Sequence, residues 1–160
     1  MPTKLTAQQC ESRGIVFPCN QMDNGELRFR LMKNGDDSGF GYILTEMPEK
    51  GGGAWQNSHY HRGVLETYIV QKRWIASAEL VKGAVTIRIH RENEIFTTQP
   101  EVHHNIYMPS GAIIHTVKHG DCSLQHDWVA SPELDNFTKQ MAEREILVRA
   151  EPKMSPLERR

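Results

Sequence analysis

The segment GAWQNSHYHRGVLETYIV, residues 53–70, contains two short strands joined by a turn. His59 and His61 are separated by one residue. On a strand this puts both imidazoles on the same face, because side chains alternate with period two. Arg62–Leu65 can turn the chain. Glu66 then opens the next strand, where Glu66, Tyr68 and Val70 share a face. Two histidines and a carboxylate on adjacent strands form half of a metal cage. Imidazole suits Zn, Fe, Ni or Cu, and a carboxylate adds Mn.

Outward from this segment the chain reads as a succession of short strands. Residues 26–32 alternate, with Leu27, Phe29 and Leu31 on one face and Glu26, Arg28 and Arg30 on the other. Further strands are expected at 40–47, 55–61, 66–71, 74–80, 85–90, 103–108 and 112–118. Residues 33–39 read as a turn, and 81–84 as a tight hairpin turn with Gly83 at the demanding position. A helix is expected from a cap at Ser131 through Pro132 to about Arg144, with Leu134, Phe137 and Met141 on one face. The organisation that follows is an N-terminal arm (1–22), an all-β barrel (23–130) and a C-terminal helix and tail (131–160). A second ligand-bearing strand should come from far along the chain, because a barrel closes sequence-remote strands onto one interior. Ile113, His115 and Val117 alternate on one face after a Pro109-Ser-Gly111 turn, which offers His115 as the fourth ligand.

The chain has 160 residues, enough for one domain with a sizeable core. A formal charge of -1 gives no overall pull toward nucleic acid or anionic membrane. Cys10, Cys19 and Cys122 are odd in number and unpatterned, which argues against a disulfide framework. No apolar run marks a signal peptide or a membrane span, so a cytoplasmic protein is expected.

Gly53-x5-His59-x-His61-x4-Glu66, followed by Pro109-x-Gly111 and His115, resembles the two motifs of the cupins. The likeness covers roughly residues 40–120. It implies an all-β, cupin-like jelly-roll barrel, commonly dimeric, with a divalent transition metal (Fe, Mn, Ni or Zn) on His59, His61, Glu66 and His115. Two positions depart from the pattern. Arg73 stands where the first motif usually ends on Gly. His115 lies four residues after Gly111 where the family has three, so a bulge after Gly111 is needed to aim it inward.

Tyr68 shares the face of Glu66 and is a candidate acid or hydrogen-bond donor to a bound ligand. His103 and His104 are adjacent and face opposite ways. If Ile106 and Met108 line the core, His104 goes with them as a candidate catalytic or supporting residue. Thr86, Arg88 and His90 read as a solvated outer face opposite Val85, Ile87 and Ile89. His119 and His126 read as surface or structural.

The resemblance implies an enzyme acting on a small oxygenated organic molecule, of isomerase or epimerase, lyase or dioxygenase type. The alternative is a non-catalytic small-molecule or sugar binder with an anchoring metal. A homodimer with no nucleic-acid or membrane partner is expected.

Overall fold

Two antiparallel sheets face one another, and alternation along their strands sorts the residues onto inner and outer faces. The computed structural model describes residues 3–6, 8–9, 12, 19–33, 41–121 and 123–150. Sheet A has seven strands in the order β1 (Thr3–Lys4), β2 (Cys19–Gln21), β3 (Leu27–Lys33), β4 (Gly41–Glu46), β12 (Ile113–Gly120), β7 (Val64–Lys72) and β10 (Ile95–Thr98). Sheet B runs β13 (Trp128–Ala130), β6 (His59–His61), β11 (His103–Met108), β8 (Trp74–Val81) and β9 (Ala84–Arg91), and β5 (Ala54–Trp55) also pairs with β11. Strands remote in sequence, such as β4 and β12, are neighbours, as a jelly roll requires. The N-terminal stretch contributes β1 and β2 to sheet A. Cys10, Cys122 and, of the turn expected at 33–39, all but Lys33 lie outside the described residues.

Most expected strands are present. The stretch 55–61 divides into β5 and β6, and β10 and β13 were not anticipated because each is short and mixed in polarity. The β8–β9 hairpin closes as its sequence requires. Val81 pairs with Ala84, and Lys82 and Gly83 take positive φ of 52° and 78°. Arg73, at the motif position usually held by glycine, adopts a φ of 70°, a left-handed conformation that costs a side-chain-bearing residue about 1–2 kcal/mol.

The inner face of sheet A is a grid set by register. Glu66 pairs with Lys118, Tyr68 with Thr116 and Ile43 beyond it, and Val70 with Ile114, Thr45 and Arg28 beyond. Sheet B turns Ile75, Ser77, His104 and Ile106 toward it. Away from Glu66 the gap is filled by Met47, Val70, Ile75, Ile106, Met108 and Ile114. Near Glu66 the lining is polar.

The outer face of sheet B carries the second core. Trp55, Ala76, Ala78, Leu80, Ile87 and Tyr107 pack under Leu134, Met141 and Ile146. These last three belong to the C-terminal region, where two helices replace the single one expected: α1 (Pro132–Thr138) and α2 (Glu143–Arg149). The chain turns between them, with the Met141 amide on the Thr138 carbonyl, and Tyr107 donates to Glu143 at the start of α2. Phe137 is exposed, and Thr138 takes the buried place on α1. Ser131 does not cap α1 through its side chain; its hydroxyl instead meets His103 Nδ1 at 2.7 Å.

These helices reverse one expectation. Val85, Ile87 and Ile89 face the helices, so Thr86, Arg88 and His90 lie on the opposite face, where Arg88 is exposed and pairs with Glu79 while His90 turns inward. His90 is buried against Ser77 and stacked on Phe96. No helix among the described residues is long and apolar enough to cross a membrane.

Candidate functional site

Glu66 is the centre of the polar end. Its carboxylate is buried, and five side chains converge on it. His59 Nε2 lies 3.4 Å from Oε2 and His61 Nε2 lies 3.4 Å from Oε1. His104 Nε2 is 3.0 Å from Oε2, Tyr68 donates its phenol proton to Oε2 at 2.7 Å, and Lys118 Nζ is 3.2 Å from Oε1. Ligand atoms of His59, His61 and Glu66 all lie within 4.8 Å of one another. The histidines come from sheet B, two on β6 and one on β11, where His104 pairs directly with His59. Glu66 comes from sheet A.

Each of the three imidazoles is fixed from behind. His59 Nδ1 faces the Asn57 carbonyl at 2.9 Å and His104 Nδ1 faces the Val102 carbonyl at 2.9 Å. His61 Nδ1 faces Asp127 Oδ2. Carbonyls and carboxylates only accept, so each Nδ1 carries the proton, and in a neutral ring Nε2 is then a bare lone pair. Burial dominates at His59 and, despite the neighbouring Glu66 carboxylate, pushes its pKa down to about 4. His61 Nε2 is buried with no hydrogen-bond partner among the described residues. Lone pairs aimed at a carboxylate repel it unless a cation lies among them. Ligand histidines in metal sites characteristically have the other ring nitrogen tied to a carbonyl or carboxylate in this way. The donor set therefore fits a transition-metal ion of the kind bound by imidazole and carboxylate.

At Glu66 burial opposes ionisation, but the Lys118 charge beside it outweighs burial and holds the carboxyl well below its ordinary value. Burial, followed by the Glu66 charge, pushes Tyr68 well above a normal phenol. Tyr68 thus stays protonated and serves as a donor to Glu66. Of the two adjacent histidines, His104 points inward with Ile106 and Met108, and His103 points to the helix side, stacked on Tyr60.

His115 is not part of this cluster. It lies on the outer face of sheet A, with Nδ1 on the Tyr42 hydroxyl and Nε2 on Gln71. Inward positions on β12 are Ile114, Thr116 and Lys118. The position three residues after Gly111 is Ile114, fully buried in the inter-sheet core. A register shift does occur between Ile113 and Ile114, but the extra residue is Gln71 on β7, so β12 is not rotated. His104, not His115, is the third histidine whose ring meets Glu66.

Three neighbours of the site were not singled out from sequence. Lys118 follows from alternation once β12 is correctly faced. Asp127 and Trp128 come from the short β13 edge, which has no sequence signature. Trp128 stacks on His59 with ring centroids 5.5 Å apart and remains 42% exposed, so it marks the side from which solvent reaches the site. Asp127 accepts from the Gly63 and Val64 amides through Oδ1 and from His61 through Oδ2. Burial would raise its carboxyl, but these hydrogen bonds hold it below its ordinary value. Asp127→Asn leaves Oδ1 on the two amides and presents an amide donor to His61 Nδ1. The proton then moves to Nε2, where it blocks ligation. Metal affinity should drop by about 10–100-fold with the circular dichroism spectrum unchanged, as a chelator competition would measure.

No family model matches the chain, and no curated protein matches it. Solved structures do. The chain is similar to an uncharacterised conserved protein with a double-stranded β-helix domain from Klebsiella pneumoniae (TM-score 0.50, 17% identity, covering 69% of this chain and 87% of that one). It is similar to a cupin-like protein from Thermotoga maritima (TM-score 0.51, 16% identity, 81% and 88%). A variant of oxalate decarboxylase from Bacillus subtilis aligns at TM-score 0.53 and 14% identity, over 83% of this chain but only 37% of that one. At such identities the likeness is one of fold. Two facing sheets in jelly-roll order, with strands from both supplying the polar cluster, agree with it: the chain has a cupin-like fold.

Proposed function

We propose that the protein is a metal-dependent enzyme acting on a small oxygenated organic molecule, with His59, His61, His104 and Glu66 holding a divalent transition metal ion. The observation that carries this reading is the triple anchoring of Nδ1, which leaves three Nε2 lone pairs directed at one buried carboxylate. When bound, such an ion polarises a carbonyl or hydroxyl oxygen or supports redox chemistry, which accommodates isomerase, lyase and dioxygenase reactions. The chain's own residues prepare the site for it. Asn57, Asp127 and Val102 fix the three imidazole tautomers. Tyr68 orients Glu66 by a hydrogen bond. Trp128 forms one wall of the approach beside His59.

Elemental analysis of the purified protein, or of protein reconstituted with Fe, Mn, Ni or Zn salts, should find close to one transition-metal ion per chain. Absence of stoichiometric metal after reconstitution would overturn the reading. Oxygen consumption over a panel of diketones and phenols, run beside an aldose–ketose isomerisation assay, then sorts the reaction type. Silence in every assay by a metal-loaded protein that binds panel members would favour a binding role.

A further inference from the structure

His61 meets a carboxylate directly, at Asp127, whereas His59 rests on the Asn57 backbone carbonyl. The segment that carries this carbonyl is gripped by α1. Edge strand β13 follows β6 as far as Ala130, opposite His59, and the Ser131 amide adds one more hydrogen bond, to the Ser58 carbonyl. Pro132 has no N–H to offer, so the ladder stops and the chain turns into α1. Leu134 and Thr138, four residues apart, are fully buried, and Thr138 accepts from Asn105 of β11. Ser131, Asp135 and Lys139 have the same spacing and form the adjacent row. That row runs along residues 58–55. Asp135 Oδ1 accepts the Ser58 amide proton at 2.9 Å. Lys139 Nζ donates to the Gln56 carbonyl, to Asn57 Oδ1 at 2.9 Å and to the Trp55 carbonyl at 3.4 Å. The lengths agree: eight helical residues rise about 12 Å and three extended residues about 10 Å. Side chains of α1 thus take over where β13 stops.

The Asn57 carbonyl and the Ser58 amide belong to one peptide unit, which is planar and trans. They therefore point in opposite directions from a rigid plane. On one side the amide meets Asp135, and on the other the carbonyl accepts from His59 Nδ1 at 2.9 Å. Turning the plane would break both hydrogen bonds. Hydrogen bonds in such a chain also polarise one another, so a carboxylate on the amide makes the carbonyl a stronger acceptor. Ser58 is buried, so its amide depends on Asp135 rather than on solvent. Lys139 fixes the preceding peptide through the Gln56 carbonyl.

We propose that Asp135 is a positioning residue for the metal ligand His59, acting through the Asn57–Ser58 peptide, and that Lys139 supports it by holding the same segment. Carboxylate, peptide and imidazole form a relay that keeps the proton on Nδ1 and leaves Nε2 unprotonated. His59 receives through one peptide what His61 receives from Asp127 directly. The consequence for metal affinity rests on the metal reading; the consequence for the tautomer does not.

The test uses full-length, metal-free protein with ¹⁵N-labelled histidine at neutral pH, the His59 signals being assigned by their loss in His59→Gln. The two neutral tautomers give distinct pairs of ring-nitrogen resonances. His59 should be the Nδ1–H tautomer in the unsubstituted protein. Asp135→Ala should admit the Nε2–H form at His59 and leave His61 and His104 as they were. Asp135→Asn, which keeps an oxygen toward Ser58, should restore most of the Nδ1–H form. Lys139→Met should shift His59 the same way by a smaller amount, and Phe137→Ala, at an exposed position of the same helix, should not shift it. Chelator competition with Co²⁺ should show affinity lowered about tenfold in Asp135→Ala, the low end for a group that supports a ligand, and recovered in Asp135→Asn. A His59 that stays wholly Nδ1–H in folded Asp135→Ala, or in Lys139→Met where Asp135→Ala does not fold, would overturn the proposal. So would an equal change at His61 and His104, which marks general loosening. The two readings fail separately. Protein that takes no Co²⁺ yet shows the tautomer change refutes only the metal. Protein that takes one Co²⁺ per chain with His59 unmoved by the substitutions refutes only this inference.

Discussion

His104→Ala should abolish stoichiometric metal binding, and His115→Ala should leave it intact. The two residues lie on different strands of sheet A and sheet B and differ in direction. His104 Nε2 is 3.0 Å from Glu66 Oε2 and its ring centroid lies 4.5 Å from that of His59. His115 is held on the outer face by Tyr42 and Gln71. Loss of a group that merely supports a ligand costs about 10–100-fold in metal affinity, so loss of a ligand itself should exceed that range. His59→Ala with His61→Ala should be at least as severe. Elemental analysis with a chelator competition reads the outcome. Metal lost in His115→Ala but retained in His104→Ala would refute the assignment. Both variants should stay folded, because the inter-sheet core and the helix-covered core do not depend on either ring.

Leu134→Ala lowers the unfolding free energy by about 2–5 kcal/mol, the range for emptying a fully buried leucine site. Leu134 is 0% exposed on a helix of seven residues. A helix so short is not stable alone, so α1 exists because it docks. Leu134 sits among Trp55, Ala76, Ala78, Tyr107 and Ile146, and its removal opens a void at the centre of that cluster. Phe137→Ala on the same helix should change stability little, because that ring is 48% exposed. Urea unfolding of both variants provides the comparison. The effect should reach the site as well. Asp135 Oδ1 accepts the Ser58 amide proton at 2.9 Å, one residue before His59. A loosened α1 therefore releases the start of β6, and metal affinity should fall in Leu134→Ala along with stability.

The barrel was legible because turn residues and alternation are local properties. Glu26, Arg28 and Arg30 were correctly set apart from Leu27 and Phe29. What alternation alone does not report is which face points inward. The usual guide, apolar inside, fails near the site because the inner lining there is polar. The same error misplaced two strands. On β12 the apolar neighbours Ile113 and Val117 suggested that His115 faced inward, although Thr116 and Lys118 do. On β9 Val85, Ile87 and Ile89 were given the inner face, although they meet α1 and α2. Both sides of sheet B are covered, so apolarity marks two different cores. His59, His61 and Glu66 were legible because their spacing is self-contained on β6 and β7. His104 was legible only as one of two alternatives, resolved by the burial of Ile106 and Met108. Asp127 was not legible, since its role depends on an edge strand pairing across a long loop.

The division of the cluster between sheets has a mechanical consequence. Three imidazoles project from one sheet and a single carboxylate from the other, so any ion they share is a fastener across the sandwich. Its binding energy then belongs to the folded state alone, because no unfolded chain assembles that geometry. The cohesion of the two sheets becomes a function of free-ion concentration through mass action. Were an ion to bind there, the stability of the fold would rise with its free concentration.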